Sequence, residues 1–240
     1  MTPSRILRIP ILPMGLVNAH LVVGPNGAVL VDAGLPGTET AIERVMCKNG
    51  LRFSDIKLIV ITHAHVDHAG NAAKLRELSG APIVAHLEDA PFYRREADMS
   101  FCPTGWFGKA FMRTGLMLEP YTAFEPDVLL DGDDEFDLGR FGQEGVIRHT
   151  SGHTAGSLSV ELDSTHALVG DLISSGILLG GLLLTGRAKR PPFEDDPVAV
   201  SDALQQLVRR GHKHFYMGHG GPLVASEVER HARHLRKFAR

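Results

Sequence analysis

Thr62-His63-Ala64-His65-Val66-Asp67-His68-Ala69-Gly70 follows directly on the run Ile56-Lys57-Leu58-Ile59-Val60-Ile61. That run is rich in β-branched residues and nearly unbroken in apolarity, which predicts a strand buried on both faces. If the chain stays extended beyond it, alternate side chains share a face, so His63 and His65 point the same way with backbones about 7 Å apart. Imidazole suits a borderline divalent ion such as zinc. Asp67 and His68 come as the chain turns, adding an oxygen and a further nitrogen directed elsewhere. Four candidate ligands in so short a loop exceed what one tetrahedral ion takes from it, and the pattern predicts two adjacent metal positions. A hydrated, histidine-rich turn is the plainer reading. The buried strand before the segment and the glycine exit at Gly70 count against it.

Outward from this segment, short apolar runs at 6–12, 20–23 and 28–31 are punctuated by Gly, Pro and Asn, as in a meander of strands. Residues 38–48 carry apolar side chains at helical spacing and end at Asn49-Gly50; residues 71–78 form a second helical pattern, and 82–85 a buried strand. The second half repeats the theme, with strands at 128–130, 145–149, 158–162, 167–169 and 214–217 and helices at 197–210 and 226–238. Ser226 and Glu229 are spaced as a capping box for the last helix. Strands clustered in each half and followed by helices predict an α/β chain, two sheets sandwiched between helices, folded as a single domain over 1–240.

Three further candidate ligands sit at predicted strand ends among glycines. His153 lies in Ser151-Gly152-His153-Thr154-Ala155-Gly156-Ser157, Asp171 closes Ala167-Leu168-Val169-Gly170-Asp171, and His219 lies in Met217-Gly218-His219-Gly220-Gly221-Pro222. Loops held by a rigid scaffold are where function concentrates. The other histidines (His20, His86, His149, His166, His212, His214, His231 and His234) are expected at the surface or behind the ligands. Between the halves, residues 90–126 gather Phe92, Tyr93, Phe101, Trp106, Phe107, Phe111, Tyr121 and Phe124. So many aromatics argue against disorder. The segment reads either as a helical cover for the core or as a lid over an apolar substrate cavity.

Composition removes several classes of function. The 240 residues are 43% hydrophobic and 22% charged with a net charge of −3, so no basic field invites nucleic acid. Thirteen histidines are an unusual complement. Two distant cysteines, Cys47 and Cys102, make no disulfide framework and fit a reducing compartment. Residues 1–15 alternate Ile and Leu with Arg and Pro and lack the apolar run of a signal peptide. The most apolar stretch, 172–184, is too short to span a bilayer. The expectation is a cytoplasmic protein acting on a small molecule, with no nucleic-acid or membrane partner.

With these residues in view, the sequence resembles the metallo-β-lactamase-fold superfamily over nearly its whole length, and within it the dinuclear hydrolases. The resemblance rests on Asp32 in Val31-Asp32-Ala33-Gly34, the His63-x-His65-x-Asp67-His68 signature, and His153, Asp171 and His219 in the family's order. It implies an αβ/βα four-layer sandwich of two mixed sheets flanked by helices, with metals at one edge. It assigns His63, His65 and His153 to one divalent ion and Asp67, His68 and His219 to a second. Asp171 would bridge the two, and Asp32 would support the metal loop. Zinc is the expected metal, with manganese or iron as alternatives. Two such ions against Asp67, Asp171 and a bridging hydroxide leave a positive site that polarises a carbonyl and stabilises its oxyanion. The implied reaction is attack of the bridging hydroxide on an ester, thioester or lactone, with Asp67 as the catalytic residue that orients it and shuttles its proton.

Departures from subfamilies narrow this. The ligand set resembles that of glyoxalase II, although the 21 residues after His219 are too few for that family's helical domain. Asp171 stands where β-lactamases of the main classes carry Cys or Ser. Ser174 stands where acyl-homoserine lactonases usually carry Tyr. A persulfide-oxidising iron branch would use only His63, His153 and Asp171, a facial triad suited to non-haem iron. Arg187, Lys189 and Arg190 read either as a solvated basic turn or as a cationic clamp for an anionic substrate.

Overall fold

In the computed structural model, which describes residues 5–177, 179 and 183–238, six strands form the first sheet in sequence order. They are β1 (Arg5–Pro10), β2 (Asn18–Gly24), β3 (Gly27–Val31), β4 (Ile56–Val60), β5 (Ile83–His86) and β6 (Val128–Leu130). The first three pair antiparallel and the rest parallel. Parallel pairing needs crossovers. These carry α1 (Glu39–Lys48), then α2 (Val66–Ala69) and α3 (Ala72–Ser79), then α4 (Ala90–Tyr93) and α5 (Gly105–Met112).

The second half begins with β7 (Glu135–Asp137), β8 (Gly145–His149), β9 (Leu158–Leu162) and β10 (His166–Leu168). A two-stranded ribbon, β11 (Ser174–Ser175) with β12 (Ala188–Lys189), precedes α6 (Pro197–Arg209), β13 (His214–Tyr216), β14 (Leu223–Val224) and α7 (Ala225–Leu235). The second sheet runs β14-β13-β10-β9-β8-β7. Its one parallel pair, β10 with β13, is bridged by α6.

Alternation along β4 shows how the layers form. Leu58 and Val60 enter the core between the sheets, where Val29 and Val84 meet Ile147, Val160 and Leu168. Ile59, on the opposite face, enters the outer core with Ile42 and Met46 of α1 and Leu75 of α3, and Ile56 joins them out of phase beside the register shift at Ala28/Val29. The second sheet's outer face packs Phe215 against Leu204 and Leu207 of α6 and Val228 and Leu235 of α7. The expected helix–sheet–sheet–helix sandwich is thereby realised.

Two local expectations are corrected. Helix α7 is capped by Val224 with no side-chain hydrogen bond, so Ser226 and Glu229 form no capping box. Strand β14 runs straight into the helix, and Glu227 instead accepts from the Ala188 N–H at 2.8 Å. His20, His86, His212 and His231 are buried, not at the surface; His212 donates to Glu161 at 2.6 Å. In the stretch 172–184, Leu172 and Ile173 are buried and β11 follows, while 178 and 180–182 lie outside the described residues.

Candidate metal centre

Beyond β4 the chain leaves the sheet at the end where ligands of parallel sheets collect. His63 and His65 lie on the extended exit, and the single turn α2 swings Asp67 and His68 the other way. His153 precedes β9, Asp171 follows β10 and His219 follows β13. The structure brings all seven predicted side chains together, and every one is buried.

They fall into three overlapping sets whose ligand atoms lie within 4.8 Å of one another: His63/His65/His153, His63/His68/Asp171 and Asp67/His68/His219. Nε2 of His153 is 3.2 Å from both Nε2 of His63 and Nδ1 of His65. A tetrahedral ion with bonds of 2.0–2.1 Å separates its ligand atoms by about 3.3–3.4 Å, so the triad has the dimensions of a metal face. Asp171 reaches both ends, with Oδ2 3.9 Å from His153 Nε2 and 2.9 Å from His219 Nε2. Asp67 Oδ1, His68 Nε2 and Asp171 Oδ1 are buried with no hydrogen-bond partner. Orphaned buried polar atoms call for an explanation. Here they gather with the inward nitrogens, and this donor set fits divalent metal.

The outward nitrogens of His63, His68 and His219 are held by neighbours, which sets the tautomer and orientation of these three rings. His68 Nδ1 donates to Asp32 Oδ2 at 2.9 Å, and His219 Nδ1 donates to the Leu16 carbonyl. His63 Nδ1 lies 3.0 Å from Thr62 Oγ1, which itself donates to Asp32 Oδ2 at 3.1 Å. Asp32 also accepts from the Thr62 N–H at 2.9 Å. It holds this post at a φ of +66°, a conformation aspartate tolerates better than most residues.

Burial, reinforced by the neighbouring histidines, keeps His63 and His65 well below the usual histidine range. Burial brings His153 down to about 4. All three therefore offer neutral lone pairs. Burial alone would raise Asp67 and Asp171, but His68 and His219 hold both carboxyls well below their ordinary value. Against the same burial, Asp171, Asp67 and Asp32 push His68 up to about 9, and Asp171 and Asp67 raise His219. Two carboxylates thus face two imidazolium rings where a cation would sit.

Above the ligands opens a cavity of about 400 Å³. Leu12, Leu16, Val17, Leu35, Phe111, Leu116, Met117 and Phe193 make up most of its apolar wall. Among the described lining residues, Glu119 is the one charged side chain apart from the seven. The segment 90–126 divides its work: Tyr93 and Phe124 join the outer core, Phe111 and Met117 wall the cavity, and Trp106 is 80% exposed. Arg187, Lys189 and Arg190 do not line this cavity. Arg190 pairs with Glu194 at 2.8 Å beneath Phe238, and Arg187 faces Glu227 at 3.7 Å, so the cationic-clamp reading has no support.

Sequence reasoning missed three supporting residues. Asn18 Nδ2 donates to the Gly218 and Gly220 carbonyls at 3.2 and 3.1 Å, clasping the His219 loop. Thr62 relays between Asp32 and His63, and Asp89 joins two ligand loops. The available signal for Asp89 was positional: Asp32, His63 and Asp89 follow the ends of β3, β4 and β5, three neighbouring parallel strands.

The family model of the metallo-beta-lactamase superfamily matches residues 12–219, and the chain belongs to that superfamily. Probable metallo-hydrolase YqgX of Bacillus subtilis is 29% identical over 215 residues, 89% of each chain. An uncharacterized protein of Mycobacterium leprae, ML0493, is 33% identical over 168 residues, 67% of this chain and 71% of its own. Among solved structures, a metallo-beta-lactamase family protein from Thermus thermophilus superposes with a TM-score of 0.68 at 23% identity, covering 99% of this chain and 79% of that one. That likeness is one of fold. By class, the chain is a metallo-hydrolase. Among the described residues no helix is long and apolar enough to cross a membrane.

Proposed function

We propose that the chain hydrolyses an apolar ester, thioester or lactone at a two-metal centre, with a ligand set of the glyoxalase II type. His63, His65 and His153 would hold one ion and Asp67, His68 and His219 the other, with Asp171 within reach of both. The observation that carries this reading is the convergence of three overlapping ligand sets at the floor of a single apolar cavity. Divalent ions bound there lower the pKa of water toward 7 and polarise the substrate's carbonyl oxygen.

The chain's own groups supply the rest. Asp67 lines the cavity, and its unpartnered Oδ1 accepts a hydrogen bond from the attacking water. It then carries that proton to the departing alkoxide or thiolate, so that water and substrate become an acid and an alcohol or thiol. The Leu, Phe and Met walls exclude bulk water and hold an apolar acyl group. Glu119 at the rim disfavours substrates with an anionic tail.

The test is elemental analysis of protein purified without added metal, followed by a screen of esters, thioesters and lactones of increasing chain length. About two equivalents of zinc, manganese or a mixture, with chelator-sensitive hydrolysis, is the expected result. One equivalent of iron, with oxygen uptake on a persulfide, would overturn it in favour of a single-iron oxygenase on His63, His153 and Asp171.

A further inference from the structure

Ala64 stands between two ligands and brings no chemistry of its own, yet both its backbone polar groups are held by distant side chains. Its N–H donates to Asp89 Oδ2 at 2.9 Å, and its carbonyl accepts from the Tyr121 hydroxyl at 3.1 Å. Asp89 has no solvent exposure and ends the short turn Leu87–Asp89 after β5. The same carboxylate also grips the loop that carries His153. Oδ2 accepts from Thr154 Oγ1 at 3.0 Å and Oδ1 from the Gly156 N–H at 2.9 Å. The approach is so close that a Cβ on Gly156 would stand 2.7 Å from the carboxyl group. Thr154 is steadied in turn by Ser157 Oγ, which accepts its N–H at 2.9 Å.

We infer that Asp89 is the positioning residue of the three-histidine set, one buried carboxylate fixing the spacing between the His63–His65 loop and the His153 loop. It touches no ligand atom. Its effect is exerted through Ala64 on one side and Thr154 and Gly156 on the other. His153 Nε2 must stand 3.2 Å from nitrogens of both His63 and His65, and a displacement of about 1 Å between the loops spoils that face. A carboxylate is required because all three partners are donors. An amide of the same shape would turn its NH2 against at least one of them. The inference rests on the reading that these histidines hold an ion.

The experiment is metal titration of the metal-free protein against a chromophoric chelator, with cobalt(II) absorption reporting the geometry. His153→Ala and His219→Ala define which uptake step belongs to which ligand set. Asp89→Asn is expected to weaken the step abolished in His153→Ala by about 10- to 100-fold, the range for removal of an outer-shell partner. The step abolished in His219→Ala should hold within about threefold. Thr154→Val, which removes one donor and leaves the carboxylate, should show a smaller loss in the same step and carries the test if Asp89→Asn does not fold. Unchanged affinity in both variants would overturn the assignment, as would an equal loss in both steps or a lower melting temperature of the metal-free protein alone. If the wild-type chain takes up a single equivalent, the two-metal reading fails. Asp89 is then still judged by whether that equivalent is lost in His153→Ala and weakened in Asp89→Asn. Uptake of no metal would overturn both.

Discussion

A Cβ on Gly218 would stand 2.2 Å from Cε1 of His68 and 2.4 Å from Oδ1 of Asp171, so the residue before His219 must be glycine for two ligands to pass beside it. Gly218→Ala is expected to spread this end of the centre and weaken metal binding at least tenfold, a loss of about 1.4 kcal/mol, read by chelator competition. Asp67→Asn keeps an oxygen donor but loses the basic one; kcat should fall by about 10²- to 10⁴-fold with KM nearly unchanged, as steady-state kinetics would report. The seven candidate ligands, which the fold brings together, could be picked out in the sequence because each lies in a short local pattern, a strand end followed by glycine or a run of His and Asp. Asn18 was not. It acts on Gly218 and Gly220, about 200 positions away, through contacts that exist only after folding. Thr62 and Asp89 were hidden for the same reason, since nothing in a threonine or a lone aspartate names its distant partner.

At the scale of elements, β4 and α6 were readable because their apolar spacing is long enough to show a period. Strands β11, β12 and β14 were missed, being two residues long, and β7 because Glu135 and Asp137 flank its one apolar residue. The capping-box error at α7 has a related cause: that pattern presumes a helix entered from a loop, and this one is entered from a strand. Leu207 of α6 is fully buried between its sheet and α7. Leu207→Ala should therefore cost about 2–5 kcal/mol, seen as a lower urea midpoint. Its kcat should stay within about twofold, because Leu207 neither lines the cavity nor belongs to a ligand set.

For the molecule as a whole, stability depends on pH through Glu194, a buried acid that belongs to none of the ligand sets. Burial pushes Glu194 up from 4.5 to about 7, against the opposing pull of Arg190. As pH rises through that window, the folded chain keeps a proton that the unfolded chain has released, so Glu194 favours folding at the acid end and opposes it above pH 7. The difference is on the order of 3 kcal/mol. Glu194→Gln should flatten the fall in melting temperature between about pH 5 and pH 8, and a slope equal to that of the wild type would contradict this.

The turn around Asp131–Asp134 is exposed and separates the strands of one sheet from those of the other. His63, His65, Asp67 and His68 lie before it, and His153, Asp171 and His219 lie after it. Each of the three ligand sets draws members from both sides. A chain cut at this turn would leave two fragments, neither owning a complete set, and mixing them would restore the centre only as the sheets found each other. Metal uptake by such a split protein would count reunited halves, making the centre a built-in gauge of its own assembly.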